Sequence, residues 1–218
     1  MKLKNICIIP ALEKNIYSNL GDLVNWGDST LLEWKIAQAK ESKIFEEIII
    51  STPSKKIINI AKKNNISFLK RKNNDNLNNL YIGTAKKFNN SRLIFLSTTF
   101  PFISPETIKK FVINFTLNKY ESGFTYFKQN EYFFYKNKPL NFTLNEKITS
   151  RRALPPIEKI VPAVTILNSK SLLERKNIFS NMNYFFKIEW LDSLEINSTK
   201  DLNVFNLLIK EYFKKNFK

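Results

Sequence analysis

Apolar and polar positions change over in blocks through the first half of the chain. Residues 4–11, Lys-Asn-Ile-Cys-Ile-Ile-Pro-Ala, are a nearly continuous apolar run stopped by Pro10, the pattern of a parallel strand buried on both faces. Thr30-Leu31-Leu32-Glu33 is a helix start of capping-box type, and Leu31, Leu32, Trp34, Ile36 and Ala37 give that helix its apolar side. Residues 47–52 repeat the buried-strand pattern, and Ser54 caps a helix carrying Ile57, Ile58 and Ala61 on one face. Residues 66–69 make a short third strand, the Asn-rich patch 73–79 is a mobile loop or a loop entering a helix that runs to about Phe88, and residues 92–96 are a fourth strand. Ser104-Pro105-Glu106 supplies an N-cap, a proline at the first helical position and an acid in the first turn, ahead of Ile108, Phe111, Val112 and Phe115. This alternation predicts an α/β fold: a Rossmann-like, mostly parallel sheet with helices on both faces.

The second half changes character. Residues 123–128 and 131–135, separated by Gln129-Asn130, alternate like a hairpin, and residues 141–160 read as a long excursion with few periodic signals. Residues 163–167 return as a strand, followed by a short helix around Leu172 and Leu173 and a late strand over 184–189. A closing helix begins at Ser198, with Asp201 completing its cap and Leu202, Phe205, Leu208, Ile209 and Tyr212 facing inward. The expected organisation is one domain over 1–218, with 123–162 as a hairpin and a dimerisation or lid excursion.

Composition narrows the chemistry. There are no histidines, which removes His-based nucleophilic catalysis and His-ligated zinc, so a metal here must be held by oxygen. Four glycines, at Gly21, Gly27, Gly83 and Gly123, exclude a G-x-G-x-x-G or Walker loop. The lone Cys7 lies mid-strand and reads as a buried, inert thiol. No apolar run approaches the roughly 20 residues of a membrane span, and Met1-Lys2-Leu3-Lys4 leads into a core strand, so a cytoplasmic protein is expected. The net charge of +16 raises nucleic acid as a partner, but the charge is nearly all lysine and is spread along the whole chain. A solvated surface shaped by base-composition drift accounts for it better than a phosphate-reading face, which favours arginine.

The candidate chemistry sits after the first strand. Strand, long loop and helix is a nucleotide-site layout, yet residues 12–20 contain no glycine and their first charge is Glu13. A phosphate cradle needs open backbone N–H groups together with Lys or Arg.

Taken in order, Ile8-Ile9-Pro10-Ala11, the 45–52 segment, Ile60-Ala61-Lys62-Lys63 leading to Arg71, Thr99-Phe100-Pro101, Arg151-Arg152-Ala153-Leu154-Pro155 and the 193–202 segment resemble the acylneuraminate cytidylyltransferase (CMP-sialic acid synthetase) family from about Asn5 to Leu208. The resemblance implies transfer of a cytidylyl group from CTP to a nonulosonic acid such as sialic acid, release of pyrophosphate, Mg²⁺ as cofactor and a homodimer formed through the second-half excursion. It places the nucleotide by Ala11, Lys14 and Arg71 and the sugar acid by Ser97 and Arg151. Glu195 and Asn197 fall where the family's Asp-x-Asp holds metal and serves catalysis.

The departures are concentrated at those chemical positions. Where the family reads Arg-x-x-Ser-Lys and then Lys-Asn, this chain has Leu12, Asn15, Ile16, Gly21 and Asp22. Lys14 is the nearest cation left, with a solvated loop lysine as the competing reading. Glu195 keeps one charge on a longer arm, Asn197 offers a neutral carbonyl, and Asp192 or Asp201 could compensate. The family's Gln-Pro-Thr-Ser-Pro-Leu-Arg turn becomes residues 97–103, without the amide and the guanidinium. Losing three phosphate contacts at about 1.5–3 kcal/mol each costs on the order of 4–9 kcal/mol, or roughly a thousandfold to a millionfold in affinity. Weakened or lost activity is therefore expected. A non-catalytic paralogue serving as a partner or regulatory subunit stands as the second reading, and a basic polyanion-binding protein as the third.

Overall fold

The computed structural model describes residues 3–72, 76–144 and 150–209. In chain order the elements are β1 (Lys4–Pro10), β2 (Asn25–Trp26), β3 (Ser29–Thr30), α1 (Leu31–Ser42), β4 (Glu47–Thr52), α2 (Lys55–Lys63), β5 (Ser67–Lys70), α3 (Leu77–Lys87), β6 (Ser91–Leu96) and α4 (Pro105–Thr116). They continue with β7 (Ser122–Gln129), β8 (Phe134–Tyr135), β9 (Lys138–Pro139), β10 (Ile157–Asn168), α5 (Ser169–Arg175), β11 (Asn183–Lys187) and α6 (Thr199–Leu208). The main sheet has seven strands in the order β11-β7-β10-β6-β1-β4-β5. All neighbours pair in parallel except β10, which runs antiparallel to both β6 and β7.

Strand periodicity explains the two-sided core. In β1, Cys7 and Ile9 join the cluster under α1, α2 and α4, whereas Ile6 and Ile8 join the cluster under α3 and α5. Burial pushes the Cys7 thiol far above the ordinary thiol range, so it stays protonated. A third cluster, built from Tyr17, Trp26, Leu31, Phe102, Ile196, Leu202 and Ile209, fastens α6 beside the start of α1.

The helix starts follow the expected caps. Thr30 forms a reciprocal capping box with Glu33, and the hydroxyls of Ser54, Ser104 and Ser198 accept the amides of Ile57, Thr107 and Asp201. Asn76 caps α3, so the part of the Asn-rich patch that is described enters a helix directly; Asn73, Asn74 and Asp75 lie outside the described residues, as does Tyr212. On α1 the inward face differs from the expected one. Ala37 is exposed, and Lys35, Gln38 and Ala39 are buried with Leu31, Leu32 and Ile36.

The 123–162 region is corrected in two ways. Residues 123–128 do not pair with 131–135: β7 lies in the main sheet between β10 and β11, and the hairpin is the small one formed by β8 and β9. Its turn is Lys136-Asn137, both with positive φ, as a two-residue hairpin turn requires. The strand expected from Ala163 begins earlier, at Ile157, and its register shifts between Ile160 and Thr165. Pro162 has no N–H for the ladder, and a bulge is where a strand tolerates proline. The Thr125 hydroxyl bridges the bulge, donating to the Val161 and Val164 carbonyls.

Candidate active site

The chain leaves β1, adds β4 and β5 on one side, and returns to place β6 on the other. At such a reversal the loops after β1 and β6 diverge, leaving a crevice outside the carboxyl ends of the strands, where ligands bind in open α/β sheets. Here those loops are residues 12–22 and 97–103.

Asp22 ties them together. Its carboxylate accepts from the Leu12 amide at 2.6 Å, the Tyr17 hydroxyl at 2.5 Å and the Thr98 hydroxyl at 2.8 Å. The group is buried, and the loss of hydration raises its pKa against the pull of these three donors and of the nearby Arg71 charge. Gly21 is equally constrained: its φ is +53°, and a Cβ there would lie 2.2 Å from the Leu12 carbonyl oxygen and 2.7 Å from the Lys14 nitrogen.

The loop also consumes its own donors. Asn15 N donates to the Ser18 carbonyl, and the Asn15 side-chain carbonyl accepts from the amides of Tyr17 and Ser18. The amides of Leu20, Gly21 and Asp22 go to Ser18 Oγ, the Ser18 carbonyl and the Leu12 carbonyl. A loop folded onto itself in this way presents few N–H groups to a phosphate.

Residues 194–198 form the opposing wall. Ile196 N donates to the Thr99 carbonyl at 2.8 Å and Thr199 Oγ1 donates to the Tyr17 carbonyl at 3.0 Å, which fixes this extended stretch across both loops. Because Ile196 turns its side chain into the third core cluster, Glu195 and Asn197 on either side of it turn toward the crevice. Asp201 and Asp192 do not take part. Asp201 accepts from Asn197 N and Ser198 Oγ at the start of α6, and Asp192 accepts from Ser104 N and Thr107 Oγ1 at the start of α4.

The result is a cavity of about 600 Å³ whose lining includes Arg71, Ser97, Glu195 and Asn197, with Asp22 and Leu77. A second cavity of about 640 Å³ shares Pro10, Leu77, Leu80, Ser97 and Glu195 with it and extends beneath the β10 bulge. Four of the seven residues expected at the site are thus brought together, and three stand apart. Ala11 is buried, its amide on the Ser51 carbonyl at 2.9 Å. Lys14 is exposed and lines neither cavity. Arg151 is also outside both, holding the two oxygens of Glu131 at 2.8 and 2.9 Å.

Lys35 and Gln38 are supporting residues that the sequence pattern alone did not single out. Lys35 Nζ donates to the Phe100 carbonyl at 2.8 Å, and Gln38 Nε2 donates to the carbonyls of Pro101 and Ile103, both at 2.7 Å. Together with Trp34 Nε1 on the Pro101 carbonyl, they hold the 97–103 loop onto α1. Burial lowers the Lys35 pKa from 10.5 to about 7, with the Asp192 carboxylate pulling the other way.

For a divalent cation the cavity offers thin ligation. No group of three acidic, histidine or cysteine side chains able to hold a metal occurs among the described residues, and the Asp22 oxygens are already taken. One Glu195 carboxylate and one Asn197 carbonyl remain, short of the carboxylate charge and octahedral donor set that Mg²⁺ prefers.

A mostly parallel sheet with a strand-order reversal and a crevice at the carboxyl ends of its strands is a Rossmann-like α/β fold. The cytidylyltransferase family model matches residues 22–200, and the chain belongs to that family. The match opens at Asp22, immediately after the loop that departs most from a phosphate cradle. Among solved structures, a CMP:2-keto-3-deoxy-manno-octonic acid synthetase complexed with CTP is similar at 10% identity and a TM-score of 0.72, covering 94% of this chain and 98% of that one. A 4-diphosphocytidyl-2C-methyl-D-erythritol synthase from Anaerococcus prevotii DSM 20548 gives 14% identity and a TM-score of 0.73 over 96% of this chain and 97% of that one. A cytidylyltransferase from Leptospira borgpetersenii serovar Hardjo-bovis gives 19% and 0.67 over 99% and 90%. At these identities the likeness is one of fold. No curated protein matches the chain in sequence. Among the described residues, no helix is long and apolar enough to cross a membrane.

Proposed function

We propose that this chain is a divergent cytidylyltransferase whose crevice receives a cytidine nucleotide beside a nonulosonic acid, with nucleotidyl transfer far weaker than in an intact enzyme of the family or lost. One observation carries the reading. The nucleotide-side cavity keeps Arg71, Ser97, Glu195 and Asn197 around it, while the loop after β1 contributes Leu12, Asn15, Ile16 and Tyr17 and no cation. Phosphoryl-type transfer depends on charge placed around the phosphates, so a site that holds the nucleoside without clasping its tail loses rate before it loses recognition. Mg²⁺ would arrive with the nucleotide's own phosphates and meet only Glu195 and Asn197.

Support comes from the family match and from the position of the crevice at the strand-order reversal. The nonulosonic acid rests on the sequence resemblance, and so does a homodimer. The exposed Tyr132, Phe134, Tyr135 and Leu140 around the β8–β9 hairpin are the surface we assign to the dimer contact, and sedimentation of a Phe134→Ser, Tyr135→Ser variant checks it. The catalytic test is pyrophosphate release from CTP with Mg²⁺ and a panel of nonulosonic acids, beside melting with cytidine and CMP. The expected result is a melting shift that Arg71→Ala removes, with pyrophosphate release near background. Turnover at ordinary family rates overturns the loss of activity, and no shift with any cytidine compound overturns nucleotide binding.

A further inference from the structure

Lysines occur throughout the chain, but the fold gathers many of them at one end. Residues 53–90 carry nine lysines and arginines and one acid, Asp75, an excess of eight in a chain whose net charge is +16. This segment supplies α2, β5 and α3, at the β5 edge of the main sheet. Between β5 and α3 lies a third cavity, of about 740 Å³, larger than either of the two at the crevice. It shares only Arg71 and Leu80 with the nucleotide-side cavity.

Charge is placed at both of its ends. Lys70, Arg71 and Lys72 line it where β5 finishes, beside the start of α3, and Lys86 and Lys87 line it from the last turn of α3. From Leu77 to Lys86 the helix advances about 13 Å. No carboxylate lines the cavity among the described residues, and Asp75 lies outside them. The helix dipole accounts for two lysines in the last turn of α3, but not for the cations across the cavity from them.

The floor carries a group in need of a partner. Ser51 follows Ile49 on the face of β4 turned toward α3, is fully buried, and its hydroxyl has no hydrogen-bond partner among the described residues. Buried hydroxyls are nearly always bonded, and this one borders open space. Leu69, Leu80 and Ile82 add apolar surface to the same cavity. At Gly83, also in the lining, a Cβ would meet nothing within 4 Å, so α3 leaves room there.

We propose that this cavity is an anion site separate from the crevice, and that it takes a small molecule phosphorylated at both ends. One phosphate lies among Lys70, Arg71 and Lys72 and the other at Lys86 and Lys87, while the body between them bonds the Ser51 hydroxyl and covers Leu80 and Ile82. The volume is that of a small-molecule site. Charge at two ends with a neutral, partly apolar middle fits such a molecule better than a nucleic-acid strand, whose charge is continuous. The inference goes beyond the nucleotide reading of the crevice and does not depend on it.

The test titrates the full chain by calorimetry, at physiological ionic strength, with fructose 1,6-bisphosphate, fructose 6-phosphate and a short oligouridylate. The bisphosphate is expected to bind at least about tenfold more tightly than the monophosphate. Lys86→Gln with Lys87→Gln is expected to remove that advantage. Gly83→Leu, whose side chain enters the cavity without a clash and favours the helix, is expected to abolish bisphosphate binding while the melting temperature and the CMP melting shift hold. Ser51→Ala is expected to weaken the bisphosphate severalfold without lowering the melting temperature, because its hydroxyl has no partner to lose. Equal affinity for the two sugar phosphates, bisphosphate binding that survives Gly83→Leu, or full displacement of the bisphosphate by CMP overturns the inference. Tighter binding of the oligouridylate also overturns it and makes this end of the molecule a nucleic-acid surface. Bisphosphate binding without any CMP shift overturns the nucleotide reading and leaves this one standing.

Discussion

Replacing Asp22 by alanine removes one carboxylate and strands three donors at once: the Leu12 amide, the Tyr17 hydroxyl and the Thr98 hydroxyl. Tyr17 and Thr98 are 2% and 4% exposed, so water cannot replace the lost acceptor without opening the loop. Leaving three buried donors without an acceptor, at about 1–3 kcal/mol each and partly offset by removal of a desolvated carboxylate, costs about 3–5 kcal/mol. In a chain of this length that lowers the melting temperature by about 6–20 °C, at about 2–4 °C per kcal/mol. Asp22→Asn separates the hydrogen bonds from the charge. Its carbonyl can face the Leu12 amide, which can only donate, and its NH₂ can face the two hydroxyls, which can rotate to accept. The expected loss for asparagine is therefore under about 1 kcal/mol. Thermal melts by circular dichroism of the three proteins at one pH decide the matter. An alanine variant melting within about 2 °C of the parent, or an asparagine variant as damaged as the alanine one, refutes the clamp.

Three further outcomes follow from the same geometry. Gly21→Lys, which places a lysine where the resemblance expects one, is expected to destabilise the fold and leave CTP affinity no higher, because its Cβ meets the 12–14 backbone; a stable variant with tighter CTP binding contradicts the loop conformation. Lys35 contributes a pH dependence with a definite sign: the unfolded chain keeps its proton up to about pH 10.5 and the native state releases it above about 7, so this group makes stability rise with pH across that window. Urea unfolding between those limits is expected to show a steeper rise for the parent than for Lys35→Met, and identical slopes would sink the argument. Asp192→Ala is expected to destabilise the start of α4 by about 1–2 kcal/mol without altering nucleotide affinity, read by melting and calorimetry; a change confined to affinity would place Asp192 in the crevice instead.

The parallel core and its helix starts were legible in the sequence because their causes are local. Apolar runs mark β1, β4 and β6, and a hydroxyl three residues ahead of an open amide marks the starts of α1, α2, α4 and α6. Pairing was not legible to the same degree. Strand alternation in 131–135 looks the same whichever neighbour it meets, and β7 found its partners far along the chain, in β10 and β11. Residues 157–160 read as part of the 141–160 excursion because few periodic signals mark them, whereas Thr125 supplies the hydrogen-bond partners that carry the strand through the bulge. At the site, Glu195 and Asn197 were found through the family resemblance, and the structure sets them beside Arg71 and Ser97. Asp22 was visible as a substituted position but not as a clamp, since no local pattern ties it to Thr98, 76 residues on. Lys35 was missed outright because a lysine on an amphipathic helix ordinarily points to water, and only the Phe100 carbonyl, brought from 65 residues away, gives it a reason to be inside.

The claim that this crevice holds a cytidine nucleoside without clasping a triphosphate is tested most directly by calorimetric titration of CTP and CMP, each with Mg²⁺, into the same preparation. The account predicts dissociation constants within about tenfold of each other, because the β- and γ-phosphates find no cationic partner in the loop after β1. CTP binding more than about a hundredfold tighter than CMP, about 2.7 kcal/mol or more from the tail alone, would contradict it.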